Sequence, residues 1–158
     1  MRMSDEVLTG EFEMGFIHLT EKEVIKGTDT GKYSIQMRLK PDSQTLEELQ
    51  SKLSEFDQMN GEGWSPFKVG EGEYDTGFIL TKAKSIFQPT CKNAEGAEID
   101  PSVIRKGDKC LAIIKFAEFD TGTMKGNTVL LERVQRIADG RSGGLDFPVK
   151  EKKGDIPF

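Results

Sequence analysis

Residues 31–40 alternate strictly: Tyr33, Ile35, Met37 and Leu39 are apolar, and Lys32, Ser34, Gln36, Arg38 and Lys40 separate them. A period of two sends successive side chains to opposite faces, which a helix cannot do. The segment is expected as a half-buried strand with a basic outer face, and the rest of the chain must supply a sheet for it. Residues 77–87 fit beside it, with Lys82 and Lys84 on one face and the short Thr81, Ala83 and Ser85 on the other, as in a crowded barrel interior. Residues 109–119 and 127–137, rich in Ile, Leu, Val and Phe, are two more strands. Residues 7–19, with Phe12, Met14 and Phe16 in register, are the fifth.

A helix interrupts this series after the second strand. Leu46, Leu49, Leu53 and Phe56 recur at helical spacing, with Glu47, Glu48, Lys52 and Glu55 on the wet side. Asp42 or Ser43 can cap its start, Thr45 with Glu48 fits a capping box, and Asn60-Gly61 stops it. The apolar stripe reads as core packing, because a small barrel needs a plug over its open end. Residues 60–77 form a glycine-rich loop carrying Trp64, Phe67 and Tyr74. Two readings of its aromatics stand side by side: they fold back to seal the core, or they form a mobile clamp for flat ligands.

With 158 residues and 35% hydrophobic content, one domain over residues 1–138 can bury a sizeable core. Asp139-Gly140-Arg141-Ser142-Gly143-Gly144 then reads as a linker, and residues 139–158 as a flexible tail without a core. No apolar run approaches the roughly 18 residues of a membrane span, and the N-terminus lacks the apolar stretch of a signal peptide, so a cytosolic location and no membrane partner are expected.

The chain offers little for catalysis or metal binding. Cys91 and Cys110 lack metal-ligand spacing and His18 is the single histidine, so no metal, cofactor or nucleophilic triad is expected. Asp-Thr-Gly occurs at Asp29, Asp75 and Asp120. Aspartic proteases use that triplet, but their chemistry needs two aspartates sharing a proton in a buried dyad. Each triplet here flanks a strand, where Asp supplies a turn hydrogen bond and Gly a positive φ.

Net charge is −5, which weighs against a polyanionic partner until its distribution is considered. Residues 31–40 carry Lys32, Arg38 and Lys40 with no acid, and residues 78–92 carry Lys82, Lys84 and Lys92 with none. Residues 105–116 and 124–137 are also basic on balance. Neighbouring basic strands make one positive groove on an otherwise acidic protein. Unpaired nucleic acid needs cations for its phosphates and flat surfaces for its bases. Candidate phosphate contacts are Lys32, Arg38, Lys40, Lys82, Lys84 and Lys115; candidate stacking surfaces are Trp64, Phe67, Phe87 and Phe119. The expected architecture is mainly β, a five-stranded OB-fold barrel with one helix after its second strand.

Residues 31–137 resemble the OB-fold single-stranded DNA-binding proteins encoded by tailed bacteriophages. The likeness rests on the Lys-Tyr-x-Ile-x-Met-x-Leu strand from Lys32, the acidic helix after it, and the Ser65-Pro66-Phe67-Lys68 loop. It continues through the Phe78–Ser85 strand, Gly107-Asp108-Lys109, and Gly126 followed by Leu130-Leu131-x-x-Val134-Gln135. The closing Asp155-Ile156-Pro157-Phe158 resembles the C-terminal tip of bacterial SSB proteins. The resemblance implies a non-catalytic protein that coats single-stranded DNA in the cytoplasm of a bacterial host during phage replication, recombination and repair. It also implies that the tip recruits replication or repair proteins such as a polymerase, helicase or nuclease. The tail departs from the acidic pattern of that family, since Arg141, Lys150, Lys152 and Lys153 balance Asp139, Asp146, Glu151 and Asp155. An RNA-binding OB module and a structural or assembly β-barrel remain the alternatives, and a homodimer is left open.

Overall fold

The computed structural model describes residues 2–57 and 62–139. Its strands are β1 (Val7–Leu8), β2 (Phe12–His18), β3 (Val24–Ile25), β4 (Thr28–Asp29), β5 (Tyr33–Leu39), β6 (Phe67–Val69), β7 (Ile79–Ser85), β8 (Thr90–Lys92), β9 (Lys109–Asp120) and β10 (Lys125–Ala138). Helix α1 (Gln44–Phe56) follows β5, the single turn α2 (Gly72–Asp75) follows β6, and a 3-10 turn spans Pro101–Val103. The protein is mainly β with one main helix, and four of the five expected strands stand close to their expected ranges. The fifth is divided into β1 and β2, because the chain must pass α1 at Gly10. A Cβ there would lie 2.5 Å from Thr45 Oγ1.

β9 pairs antiparallel with both β2 and β10, β5 lies antiparallel between β2 and β7, and β7 runs parallel to β10. The hydrogen-bonded path β9–β2–β5–β7–β10 therefore returns to β9. β3 and β4 pair only with each other, as a hairpin between β2 and β5. Ile35, Met37 and Leu39 of β5 are 0–1% exposed, as their alternation requires. Thr81 and Ala83 sit in the same interior at 1% and 0%, so the short side chains of β7 do mark its crowded side.

The helix closes this interior. Leu46, Leu49 and Phe56 are buried, Leu53 packs against them, and the Phe56 ring stacks on Phe116 of β9 at 6.4 Å. Each such side chain contributes about 1.5–3 kcal/mol on leaving water. Of the two capping candidates the helix uses Ser43, whose Oγ accepts from the Leu46 amide. Thr45 does not form the expected capping box. It lies inside the helix, buried, and donates to the Glu11 carbonyl at 2.8 Å. α1 ends at Phe56, and the expected stop at Asn60-Gly61 lies outside the described residues.

Two expectations about local exposure are corrected. The outer face of β5 is not wet: Ser34 is 0% and Arg38 8% exposed, because Glu23 and the Tyr74–Asp75 turn lie over them. Phe16 does not join Phe12 and Met14 inside. The β2–β5 register shifts between Met14 and Ile17, and the extra residue of this bulge sends Phe16 to the outer side while Ile17 turns towards the core. The Asp-Thr-Gly triplets are turns, as expected. Asp29 and Asp120 each accept from the glycine amide two residues on, and Gly31, Gly77 and Gly122 all have positive φ.

Candidate nucleic-acid interface

Register aligns one row of outward positions across five strands. His18 of β2 pairs with Ser34 of β5, Ser34 with Lys84 of β7, Lys84 with Leu130 of β10, and Leu130 with Lys115 of β9. Lys84 and Lys115 are thus separated by a single strand, a spacing of about 10 Å between backbones. Lys82 lies two residues along β7 from Lys84, opposite Gln36. Burial pushes the Lys84 ammonium below the usual lysine range, with the nearby charges of Lys32 and Lys82 acting in the same direction. Crowding of cations is what a site for several phosphates requires.

The β2–β5–β7 part of this face also carries rings. The Phe16 and His18 rings lie 5.3 Å apart, and Lys82 Nζ is 5.6 Å from the Phe16 centroid. Tyr33, on the other side of β5 in line with Ile35, lies below Lys22 Nζ at 5.9 Å. By sequence none of Phe16, His18, Lys22 and Tyr33 is a binding candidate, and Phe16 is expected in register with the core residues Phe12 and Met14. Phe16 was hidden by the bulge, which simple alternation cannot register. Phe87 is 74% exposed and, with Ile86, spans the gap between β7 and β8, which both pair with β10.

A second cation and ring cluster lies along β9 and β10. Phe119 pairs with Gly126, and Trp64 bridges Gly126 from the other side, so the two rings meet edge-on at 5.9 Å. Lys68 Nζ stands 4.8 Å from the indole. Trp64 is half-buried and held in the sheet by its own backbone, its N–H donating to the Lys125 carbonyl and its carbonyl accepting from Asn127. The Trp64 backbone thus belongs to the sheet, and its ring stands against Phe119 and Lys68. Phe67 takes the core-sealing alternative: it pairs with the buried Thr81 and packs on the hydrophobic interior. Tyr74 is 73% exposed on α2.

Other candidates fall elsewhere. The Arg38 guanidinium is enclosed by Glu13, Asp75 and the Tyr74 carbonyl and lies 4.0 Å over the Phe78 ring, so it braces the fold instead of waiting for a phosphate. Lys32 is exposed at the start of β5 and Lys40 is exposed at its end, next to the α1 cap. Arg136, in the last basic segment, is buried beside Asp108 and donates to the Val103 carbonyl. Asp155, Ile156, Pro157 and Phe158 lie outside the described residues. Both thiols are buried; burial, with Asp100 and Glu98 nearby, pushes Cys91 up to about 11, and Cys110 is pushed further in the same direction by deeper burial. Among the described residues no cluster of three metal-ligating side chains occurs, and no helix is long and apolar enough to cross a membrane.

No family model and no curated protein matches the chain. Solved structures do match, and they define a class of fold. It is the fold of phage-encoded single-stranded DNA-binding proteins. The single-stranded DNA-binding protein from bacteriophage Enc34, in complex with ssDNA, aligns with a TM-score of 0.70 at 18% identity, over 85% of this chain and 86% of that one. Another structure of the Enc34 protein aligns at 0.68 and 18% identity, over 89% and 87% of the two chains. Gp2.5, a single-stranded DNA binding protein encoded by bacteriophage T7, aligns at 0.60 and 10% identity over 94% and 99%.

Proposed function

We propose that this chain is a sequence-independent single-stranded DNA-binding protein of the bacteriophage type. Its strand circuit is read as an OB-fold barrel, and DNA is read as crossing the outer face of β2, β5, β7, β10 and β9. The observation that carries this reading is the registered row through Lys84 and Lys115, with rings at Phe16 and His18 on one flank and Trp64 and Phe119 on the other. Phosphates meet the lysines, and bases stack on the rings for about 1–3 kcal/mol each. Nothing in this binding mode reads base edges, so sequence preference is low. Neighbours of the same fold, one of them holding ssDNA, support the reading.

The protein then serves replication, recombination and repair of phage DNA in the host cytoplasm, without a catalytic step of its own. Asp155–Phe158 recruits a polymerase, helicase or nuclease: proline pre-extends the tip, so a partner captures Ile156 and Phe158 at little cost in ordering entropy. The deciding experiment is a titration of Trp64 fluorescence with oligo-dT at two salt concentrations. Quenching that weakens with salt is expected, and Lys84→Glu with Lys115→Glu should weaken binding at least about tenfold and lower the salt slope by about 1.4, or 0.7 per phosphate contact. Unchanged affinity in the double variant removes the proposed face. Stronger competition by oligo-U than by oligo-dT moves the reading to RNA.

A further inference from the structure

Glu23 is an acid enclosed by the most cationic part of the face. It is 8% exposed, and its Oε1 accepts from Lys82 Nζ at 2.6 Å and from Ser34 Oγ at 2.9 Å. Four groups with the capacity for positive charge surround this small volume from two strands, β2 and β7, and from the residue before β5: His18, Lys82, Lys84 and Lys32. One carboxylate answers them. Burial would raise the Glu23 carboxyl, but the hydrogen bonds from Lys82 and Ser34 and the Lys82 charge outweigh it and hold the group below the usual carboxylate range.

The segment carrying Glu23 is attached in a particular way. Its amide donates to the Lys32 carbonyl at 2.8 Å, and its carbonyl accepts from the Thr30 amide and hydroxyl, both at 2.9 Å. Beyond that base, β3 and β4 pair only with each other, and Val24 and Ile25 are 57% and 45% exposed. The hairpin therefore gains little from packing, and the Glu23 side chain is a main tie between it and the outer face of β5 and β7.

A lysine and a hydroxyl converging on one oxygen, with further cations behind, form an anion site that a phosphodiester oxygen fills as well as a carboxylate does. We propose that Glu23 is the resident stand-in of a phosphate subsite built by Lys82, Ser34 and Lys84, and that a backbone phosphate of bound single-stranded DNA displaces it and loosens the β3–β4 hairpin. This inference rests on the DNA-binding reading above and adds to it a competition internal to the chain. Each binding event breaks the Glu23–Lys82 pair, so affinity is held below what the bare cations would give.

The test compares oligo-dT affinity and salt slope of the full-length protein with those of Glu23→Gln, which keeps shape and removes the competing charge. About tenfold tighter binding, with a slope steeper by about 0.7 as Lys82 gains one unopposed phosphate, is the expected result. Equal or weaker binding by Glu23→Gln, while the wild type binds normally, overturns the subsite and leaves the DNA-binding reading intact. Absence of binding by the wild type overturns both. Should the variant fold poorly, amide exchange in the wild type decides: the Glu23 and Thr30 amides must exchange faster with oligo-dT bound, and greater protection there refutes displacement.

Discussion

Gly126 shows how one residue sets the geometry of a ring. A Cβ at that position would lie 2.4 Å from the Trp64 carbonyl oxygen, 2.5 Å from its nitrogen and 2.7 Å from its Cβ, so only glycine lets the tryptophan backbone pass close enough to meet Phe119. Gly126→Val should cost about 1–3 kcal/mol, by analogy with overpacked cores, and push the indole into water. A lower denaturation midpoint and a red-shifted emission are the readouts; an unchanged spectrum would mean that Trp64 is not placed by this glycine. The requirement was not legible beforehand, since a glycine before a strand looks like any other turn residue until the segment that crosses it is known. Arg38 is a similar case. Alternation put it correctly on the outer side of β5, but Glu13 and Asp75 come from 25 and 37 residues away in sequence, and periodicity says nothing about such partners.

At the scale of elements, local signals were strongest where one face is buried. α1 was readable because its stripe must face the interior, and its start to within one residue, Asp42 or Ser43, because capping is a local interaction. The expected box of Thr45 with Glu48 gave way to a tertiary bond from Thr45 to Glu11. The prediction is correspondingly simple: Leu49→Ala should lower stability by about 2–5 kcal/mol in urea denaturation, with oligo-dT affinity of the folded fraction unchanged. A loss below 1 kcal/mol would show that the helix is not the plug of the interior. Short elements were not readable. β3, β4, β6 and β8 have two or three residues each, too few for a period to show, and they exist through pairing or hairpin closure. The same limit hid the β2 bulge, which turns Phe16 from a core residue into part of the outer face.

For the whole molecule, a net charge of −5 coexists with a cationic strip because acids and bases are segregated along the chain and strand register brings Lys82, Lys84 and Lys115 to one face, while Arg38 and Arg136 are used inside the fold. The strip and the tail should act separately. Deleting Asp155–Phe158 is expected to leave oligo-dT affinity within about twofold while abolishing capture of host replication or repair proteins in pull-down. A large rise in DNA affinity on deletion would instead show the tail competing for the strip, which its balanced charge argues against.

Alternation, helical spacing and capping are properties of neighbouring residues, so the long strands, the helix and the shared side of Lys82 and Lys84 followed from the order of amino acids alone. Which of those sides meet, and what already occupies them, depended on contacts between distant segments. Register brought Lys84 and Lys115 to either side of Leu130, a bulge turned Phe16 outward, and a hairpin laid Glu23 on Lys82. Such pairings are decided by the closure of the strand circuit as a whole, because each strand's partner is chosen by the burial of every other.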